Sequence, residues 1–301
     1  VDLRALLLGL AFAVMWSSAF TSAKMIVADA PPLTALALRF ALAGIIGVGV
    51  ARALGQSWHL TRAQWRATFL FGLCQNALYL GLNFIAMRTI DAGLASIIAS
   101  TMPLLVAFAG WFVLGERLRA AGLAGLFVGF VGVALIMGSR ISGGVDLQGL
   151  SLCIGGVLAL TLATLAVRGA SSGGNLLMVV GLQMLVGSAI LAVVALVWES
   201  WDVRWSLRLV LAFLYTTLIP GLAATFAWFV LVGRIGPTKA ATFHFLNPFL
   251  GVLIAAAILG ERIGPLDILG VAIIAAGIFA VQTSKPPPAP EINGSGSREN
   301  R

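Results

Sequence analysis

Residues 103–117 read PLLVAFAGWFVLGER, and residues 248–262 read PFLGVLIAAAILGER. Each begins with a proline and ends in Leu-Gly-Glu-Arg, at 114–117 and at 259–262. The offset is 145 residues with no gap, and it carries Pro103 onto Pro248 and Leu105 onto Leu250. Continued downstream, it carries Gly125 onto Gly270 and Gly132 onto Gly277. One shared tetrapeptide could arise by chance; one flanked by matched prolines and glycines marks an internal repeat.

The rest of the chain says what is repeated. Of 301 residues, 60% are hydrophobic and 10% charged, and mean hydropathy is +1.03. A soluble domain carries about 25% charged residues. A tenth cannot cover a soluble globule of this length, so the composition points to a polytopic membrane protein. A helix needs about 20 apolar residues to cross the hydrocarbon core. Such runs fall near 4–27, 34–53, 66–87, 92–114, 120–138, 148–167, 176–198, 208–232, 239–259 and 266–283. The fold class is thus all-α with ten spans. Residues 1–140 form a first five-helix repeat and 141–284 a second. Residues 285–301 (a Pro-rich run followed by Gly-Ser-Gly-Ser) read as a flexible tail, part of it linker-like. The first apolar run is too long for a cleavable signal peptide. An odd number of helices per repeat forces the two copies into opposite orientations. That is the inverted-topology repeat of secondary transporters, in which exchanging the conformations of the halves gives alternating access.

The net charge of +8 would suggest nucleic acid in a soluble chain. Here it reads as topology. With both termini in the cytoplasm, the inner ends hold Arg4, Arg52, Arg62, Arg66, Arg117, Arg119, Arg168, Arg234, Lys239 and Lys285. The outer ends hold Lys24, Arg88, Arg140, Arg204, Arg208 and Arg262, so the positive-inside bias favours this orientation. Arg39 lies within the second span and reads as a structural residue near its outer end. The partners are the lipid bilayer and a small solute, with no nucleic acid. Cys74, Cys153, His59 and His244 show no metal-ligand or disulfide spacing. No metal or cofactor is expected, and the spans carry no hydrolase, zinc-protease or phosphate-loop motif. A channel is the rival class. It would show a ring-forming filter in an oligomer, whereas two repeats around one cavity suit a functional monomer.

Polar side chains in a span usually face a cavity or a partner helix. Gln75, Tyr79 and Asn83 recur at i, i+4, i+8 beside Asn76, which puts a neutral polar stripe on the third helix. It lines a substrate cavity or bonds to neighbouring helices. The fourth helix adds Ser96, Ser100 and Pro103, and the ninth His244, Asn247 and Pro248. Each proline frees a carbonyl one turn earlier, near Ala99 and near His244, so Pro103 and Pro248 are read as hinges. Pro220 in the eighth helix has no counterpart at position 75 and breaks the symmetry. Trp16 and Trp228 lie nearest the polar stripes and can stack on a ligand. His244 either binds substrate, couples transport to protons, or is a hydrogen-bonded core residue. Ser17, Thr21 and Lys24 share a face of the first helix and end in a cation that either gates or snorkels. Gly122, Gly125, Gly129 and Gly132 give the fifth helix a small-residue face for close packing.

Met-Trp-Ser-Ser-Ala-Phe at 15–20, Leu-Arg-Phe-Ala-Leu-Ala-Gly at 38–44 and the paired Pro…Leu-Gly-Glu-Arg…Gly blocks resemble the drug/metabolite transporter superfamily, in its EamA-type ten-helix branch. The resemblance spans about 1–284. It implies a bacterial inner-membrane exporter, most similar to those that export aromatic and other neutral amino acids. It implies a cavity lined mainly by the third, fourth, eighth and ninth helices, helped by the first and sixth, with the fifth and tenth peripheral. Multidrug export is the alternative within the superfamily. Small multidrug antiporters carry a first-helix glutamate; here Trp16, Ser17 and Phe20 occupy that region, and no Asp or Glu lies at the centre of a span. Cationic substrates are therefore disfavoured and a zwitterion favoured.

Overall fold

The computed structural model describes residues 3–113, 115, 119–166, 174–235, 240 and 242–284. Glu116, Arg117, Arg168, Lys239 and the tail 285–301 lie outside the described residues. The described residues form ten spans and no strand. They are α1 (Leu3–Asp29), α2 (Pro32–Ala53), α3 (Arg62–Ala86), α4 (Ala92–Phe112) and α5 (Ala120–Ser142). The second five are α6 (Leu147–Ala166), α7 (Leu176–Trp198), α8 (residues 207–235), α9 (residues 242–259) and α10 (Pro265–Thr283). Large apolar side chains such as Phe112, Phe127, Leu196 and Trp198 stand outward and exposed. That suits helices whose solvent is lipid rather than water. Both ends of the bundle's chain, Leu3 and Thr283, lie on one face, here the terminal face; the opposite one is the far face.

Four spans are not straight α-helices, and their irregularities fall in pairs. α3 widens into a π-turn over Gly72–Tyr79, and α8 does so over Thr217–Ala223. These segments start 145 residues apart, the offset of the sequence repeat. α4 breaks between Ser100 and Met102, and α9 passes from the 3-10 turn Thr242–Leu246 into Asn247–Leu259. These breaks share the offset too.

Local chemistry accounts for each irregularity. Pro103 and Pro248 sit in the first turn of the second half-helices, where a missing N–H costs nothing. Ser100 Oγ donates to the Ser96 carbonyl (2.7 Å) and Thr101 Oγ1 to that of Ile98 (2.7 Å), which offers the α4 backbone an alternative to its ladder. Pro220 cannot donate to Thr216, and the hydroxyls of Thr216, Thr217 and Thr225 bond to carbonyls a turn earlier. The expectation that Pro220 breaks the symmetry holds for the side chain at that position but not for the backbone, where both repeats carry the π-turn.

α5 packs along α10 through reciprocal glycines. A Cβ on Gly125 would lie 2.9 Å from the Gly277 carbonyl, and one on Gly132 2.9 Å from that of Gly270. Because Gly125 repeats as Gly270 and Gly132 as Gly277, the contact of Gly125 with Gly277 is repeated by the contact between their mates Gly270 and Gly132, as across a two-fold interface.

On the far face, carboxylates tie helix N-termini to other spans. Glu261 of the second Leu-Gly-Glu-Arg accepts from the backbone N–H of Ala92 (2.7 Å) and Gly93 (2.9 Å), capping α4. Glu199 accepts from Leu33 N–H (2.9 Å), Thr34 N–H (2.8 Å) and Thr34 Oγ1 (2.8 Å), capping α2. Arg140 pairs with Asp267 at 2.9 Å and with Asp91 at 3.6 Å, joining α5 to α10 and to the start of α4. Orphan N–H groups at a helix start need such partners, and an anion also complements the helix dipole.

Candidate functional site

Between the repeats lies a cavity of about 460 Å³. Its lining runs from mid-bundle to the first turns of α3 and α7, at Gln64 and Leu176, and so reaches the terminal face. A second void of about 60 Å³ continues toward the far face, sharing Trp16, Phe20, Arg39, Tyr79 and Pro220 with the first. Met87, which lines this void, and Ile26 and Ile90 toward the far face are fully buried.

The π-turn of α3 brings Gln75, Asn76 and Tyr79 to the cavity together. Asn76 Nδ2 donates to the Gln183 carbonyl at 2.9 Å, so part of its hydrogen-bonding capacity ties α3 to α7. Asn83 lies one turn deeper: it lines only the smaller void, with Nδ2 on the Tyr79 carbonyl at 2.8 Å. Ser100 and Pro103 reach the cavity from the break in α4. Ser96 does not. It is fully buried where α4 crosses α9, its hydroxyl against Gly251, and it has no hydrogen-bond partner. Pro248 is buried and lines neither void, whereas its mate Pro103 is on the wall.

His244, Asn247, Trp16 and Trp228 line the cavity from α9, α1 and α8. Asn247 Nδ2 lies 2.9 Å from His244 Nδ1, and the Ser17 hydroxyl lies 3.5 Å from Asn247 Oδ1. An amide with its oxygen toward Ser17 and its nitrogen toward the ring makes His244 Nδ1 an acceptor and leaves the ring proton on Nε2. Three aromatic rings surround that imidazole: Phe12 at 5.2 Å, Trp228 at 5.0 Å and Trp16 at 6.3 Å between centroids. His244 is thus both a hydrogen-bonded core residue and part of the wall. Ser17 and Thr21 are buried outside the lining, and Lys24 Nζ donates to the Ile90 carbonyl at 2.9 Å, closing a helix end.

The structure changes the expected wall in one respect. α2 and α7 also contribute, through Arg39 and Phe40 and through Gln183 and Met184. Arg39, read from the sequence as a structural residue near the outer end of its helix, thus also lies on the cavity wall. It is the one side chain of fixed charge among the described lining residues, and no carboxylate accompanies it. Its position in α2, seven residues from the helix start, resembles a snorkelling cation in sequence, and no periodic signal distinguishes the two.

The EamA-like transporter family model matches residues 3–138 and again 147–283. The chain is 26% identical over 271 residues to the uncharacterised transporter YvbV of Bacillus subtilis (strain 168), covering 90% of this chain and 88% of that protein. It is 25% identical over 281 residues to the uncharacterised inner membrane transporter YedA of Escherichia coli (strain K12), covering 90% and 88%. Over a shorter stretch of 139 residues it is 29% identical to the aromatic amino acid exporter YddG of Ancylobacter novellus, covering 46% of this chain and 48% of that protein. A crystal structure with 21% identity superposes with a TM-score of 0.67 over 92% of this chain and 97% of the other, which shows the fold. The chain belongs to the EamA-like transporter family and is a multi-pass membrane transporter with two family repeats.

Proposed function

We propose that this family member exports amino acids, neutral and aromatic ones first, from the bacterial cytoplasm by alternating access. In this reading both termini are cytoplasmic, one chain suffices, and the conformation described is open toward the cytoplasm. The observation that carries it is the chemistry of the wall: among the described lining residues, aromatic rings and neutral amides surround one guanidinium, without a carboxylate. A zwitterion finds an acceptor-rich and aromatic surface for its ammonium and a cation for its carboxylate. A lipophilic cation finds no counter-charge. The paired π-turns and the paired breaks in α4 and α9 all contribute residues to the cavity wall. They supply joints at which the halves can exchange conformations, with Pro103 and Pro248 as hinge residues. Gln75, Asn76, Tyr79, Ser100, Trp16, Trp228, His244 and Asn247 are the substrate contacts of this reading, with Asn83 met deeper in the path. The aromatic amino acid exporter among the relatives supports the substrate class.

The test is flux in liposomes containing the purified protein. Saturable movement of phenylalanine or threonine is expected. Movement of cationic drugs with none of any amino acid in a broad panel would replace this reading with drug export.

A further inference from the structure

Arg39 is buried to 6% exposure, yet it lines both voids. A guanidinium has five N–H donors. One is used: Nε donates to the Thr216 carbonyl at 3.3 Å. Within the π-turn that carbonyl is spanned by the i→i+5 bond toward Gly221, and Pro220, four residues on, has no N–H to offer it, so Arg39 takes its second lone pair. The guanidinium carbon also lies 5.1 Å from the Phe40 ring centroid. The two terminal nitrogens have no acceptor among the described residues, and the salt bridges there involve only Arg140. A desolvated, unpaired cation is costly, and burial of a charge is ordinarily accompanied by a counter-ion.

Symmetry sharpens the point. The 145-residue offset carries Arg39 onto Met184, which also lines the cavity, and Gln75 onto Pro220. The equivalent place in the other half is filled by a thioether, so the architecture itself does not require a cation there. We infer that the Arg39 guanidinium binds the carboxylate of the transported molecule at the junction of the two voids, with Pro220 and the Thr216 carbonyl holding it in position. A planar fork fixed through Nε presents its two terminal nitrogens as a bidentate carboxylate site. Trp16 and Phe20, which border the same junction, offer ring faces to the rest of the ligand. This deepens the proposed function, since the carboxylate is that of the amino acid.

The experiment compares wild-type protein with Arg39→Met, which copies the residue at the symmetry mate, and with Arg39→Gln, which keeps a donor for Thr216 without the charge. Each is reconstituted in liposomes and given phenylalanine, its carboxamide, and 3-phenylpropionate, which keeps the carboxylate and lacks the amine. In wild type the carboxamide should compete at least about tenfold more weakly than phenylalanine, because a built polar site rejects an analogue that leaves it unpaired. Both variants should raise KM at least about tenfold and lose that preference, since they remove a charge-assisted bidentate contact. Arg39→Gln decides the matter if Arg39→Met does not give a monodisperse protein. Unchanged KM and unchanged preference in a folded variant overturn the inference and make Arg39 a tie between α2 and α8, even while amino-acid flux stands. If wild type moves 3-phenylpropionate but no amino acid, and the variants lose that flux, the carboxylate site stands and the amino-acid reading falls. Failure of wild type to move or bind any of the three, read also by ligand-induced thermal shift, overturns both.

Discussion

The seam between α5 and α10 and the wall of the cavity both come from the same repeat, yet they have kept different things. In the seam the symmetry extends to single residues: Gly125 faces Gly277, and their mates Gly270 and Gly132 face each other. In the wall the backbone keeps it, with a π-turn in α3 and in α8, while the side chains abandon it: Arg39 against Met184, Gln75 against Pro220. The seam joins a helix to its own mate, so one solution serves both. The cavity holds one solute at a time, and a molecule with a charged end and an apolar end gains nothing from a symmetric wall. Backbone symmetry gives the halves matching joints; side-chain asymmetry gives the solute a direction.

The sharpest way to break this contrast is to attack the seam. A Cβ on Gly277 would lie 2.5 Å from the Gly129 nitrogen and 2.7 Å from the Gly125 carbonyl, and these backbone atoms cannot move aside as a side-chain tip can. Gly277→Leu should force α5 and α10 apart and cost about 3 kcal/mol, the upper part of the range for overpacking. The readout is the thermal unfolding midpoint in detergent, with Gly132→Leu, whose Cβ would lie 2.9 Å from the Gly270 carbonyl, as the mate. Equal, large losses are expected. A neutral effect at either site would mean that the seam is not close-packed.

Pro220→Ala tests the wall. It restores an N–H that lets the π-turn revert to an α-turn, in which the residue-220 N–H would compete with Arg39 for the Thr216 carbonyl. Losing one hydrogen bond of about 1 kcal/mol corresponds to about fivefold, so KM for phenylalanine should rise about fivefold while the unfolding midpoint holds or rises. Gln75→Ala, at the mate, removes a proposed substrate contact but has no guanidinium to release, so it should raise KM without weakening the preference for phenylalanine over its carboxamide. Loss of that preference at position 75 but not at 220 would reverse the assigned asymmetry.

The repeat and all ten spans were legible because glycine, proline and apolar length report backbone geometry and membrane depth directly. Gln75, Asn76 and Tyr79 were legible as a stripe, although the turn that presents them is π rather than α. Spacing did not separate Ser96 from Ser100: both are small hydroxyl residues on α4, and only the crossing of α9 at Gly251 decides which one is walled off. Asn83 shares the face of Tyr79 but sits a turn too deep for the main cavity. Arg39 reads as a structural residue near the outer end of its helix, and its place on the cavity wall was not legible. Its cavity position depends on α2 lying beside the π-turn of α8, a contact that no local pattern encodes. The role of Glu261 was hidden for the same reason, since its partners lie at the start of α4.

The smallest effect belongs to the helix caps, where the two halves again solve one problem differently. α2 starts on the far face and is capped by the Glu199 carboxylate through Leu33 and Thr34. α7, its mate, starts on the terminal face and is capped by an amide, with Gln56 Oε1 accepting from Met178 N–H at 3.0 Å. Leu33 and Met178 are themselves 145 residues apart, so the same N–H is satisfied in both. A carboxylate taking three donors at a helix N-terminus outweighs an amide taking one, by hydrogen bonding and by the dipole. Glu199→Gln should therefore cost about 1 kcal/mol, lowering the unfolding midpoint. Gln56→Glu should raise stability by about 0.5 kcal/mol, since it keeps the acceptor for Met178 N–H and brings a negative charge to a helix start capped only by a neutral amide. The two changes have opposite expected signs and shift the net charge by one unit in opposite directions, so the double variant, which keeps the wild-type net charge of +8, separates the caps from the overall charge. If both destabilise, the amide at position 56 is matched to its own surroundings, and the asymmetry of the wall extends to the terminal-face caps.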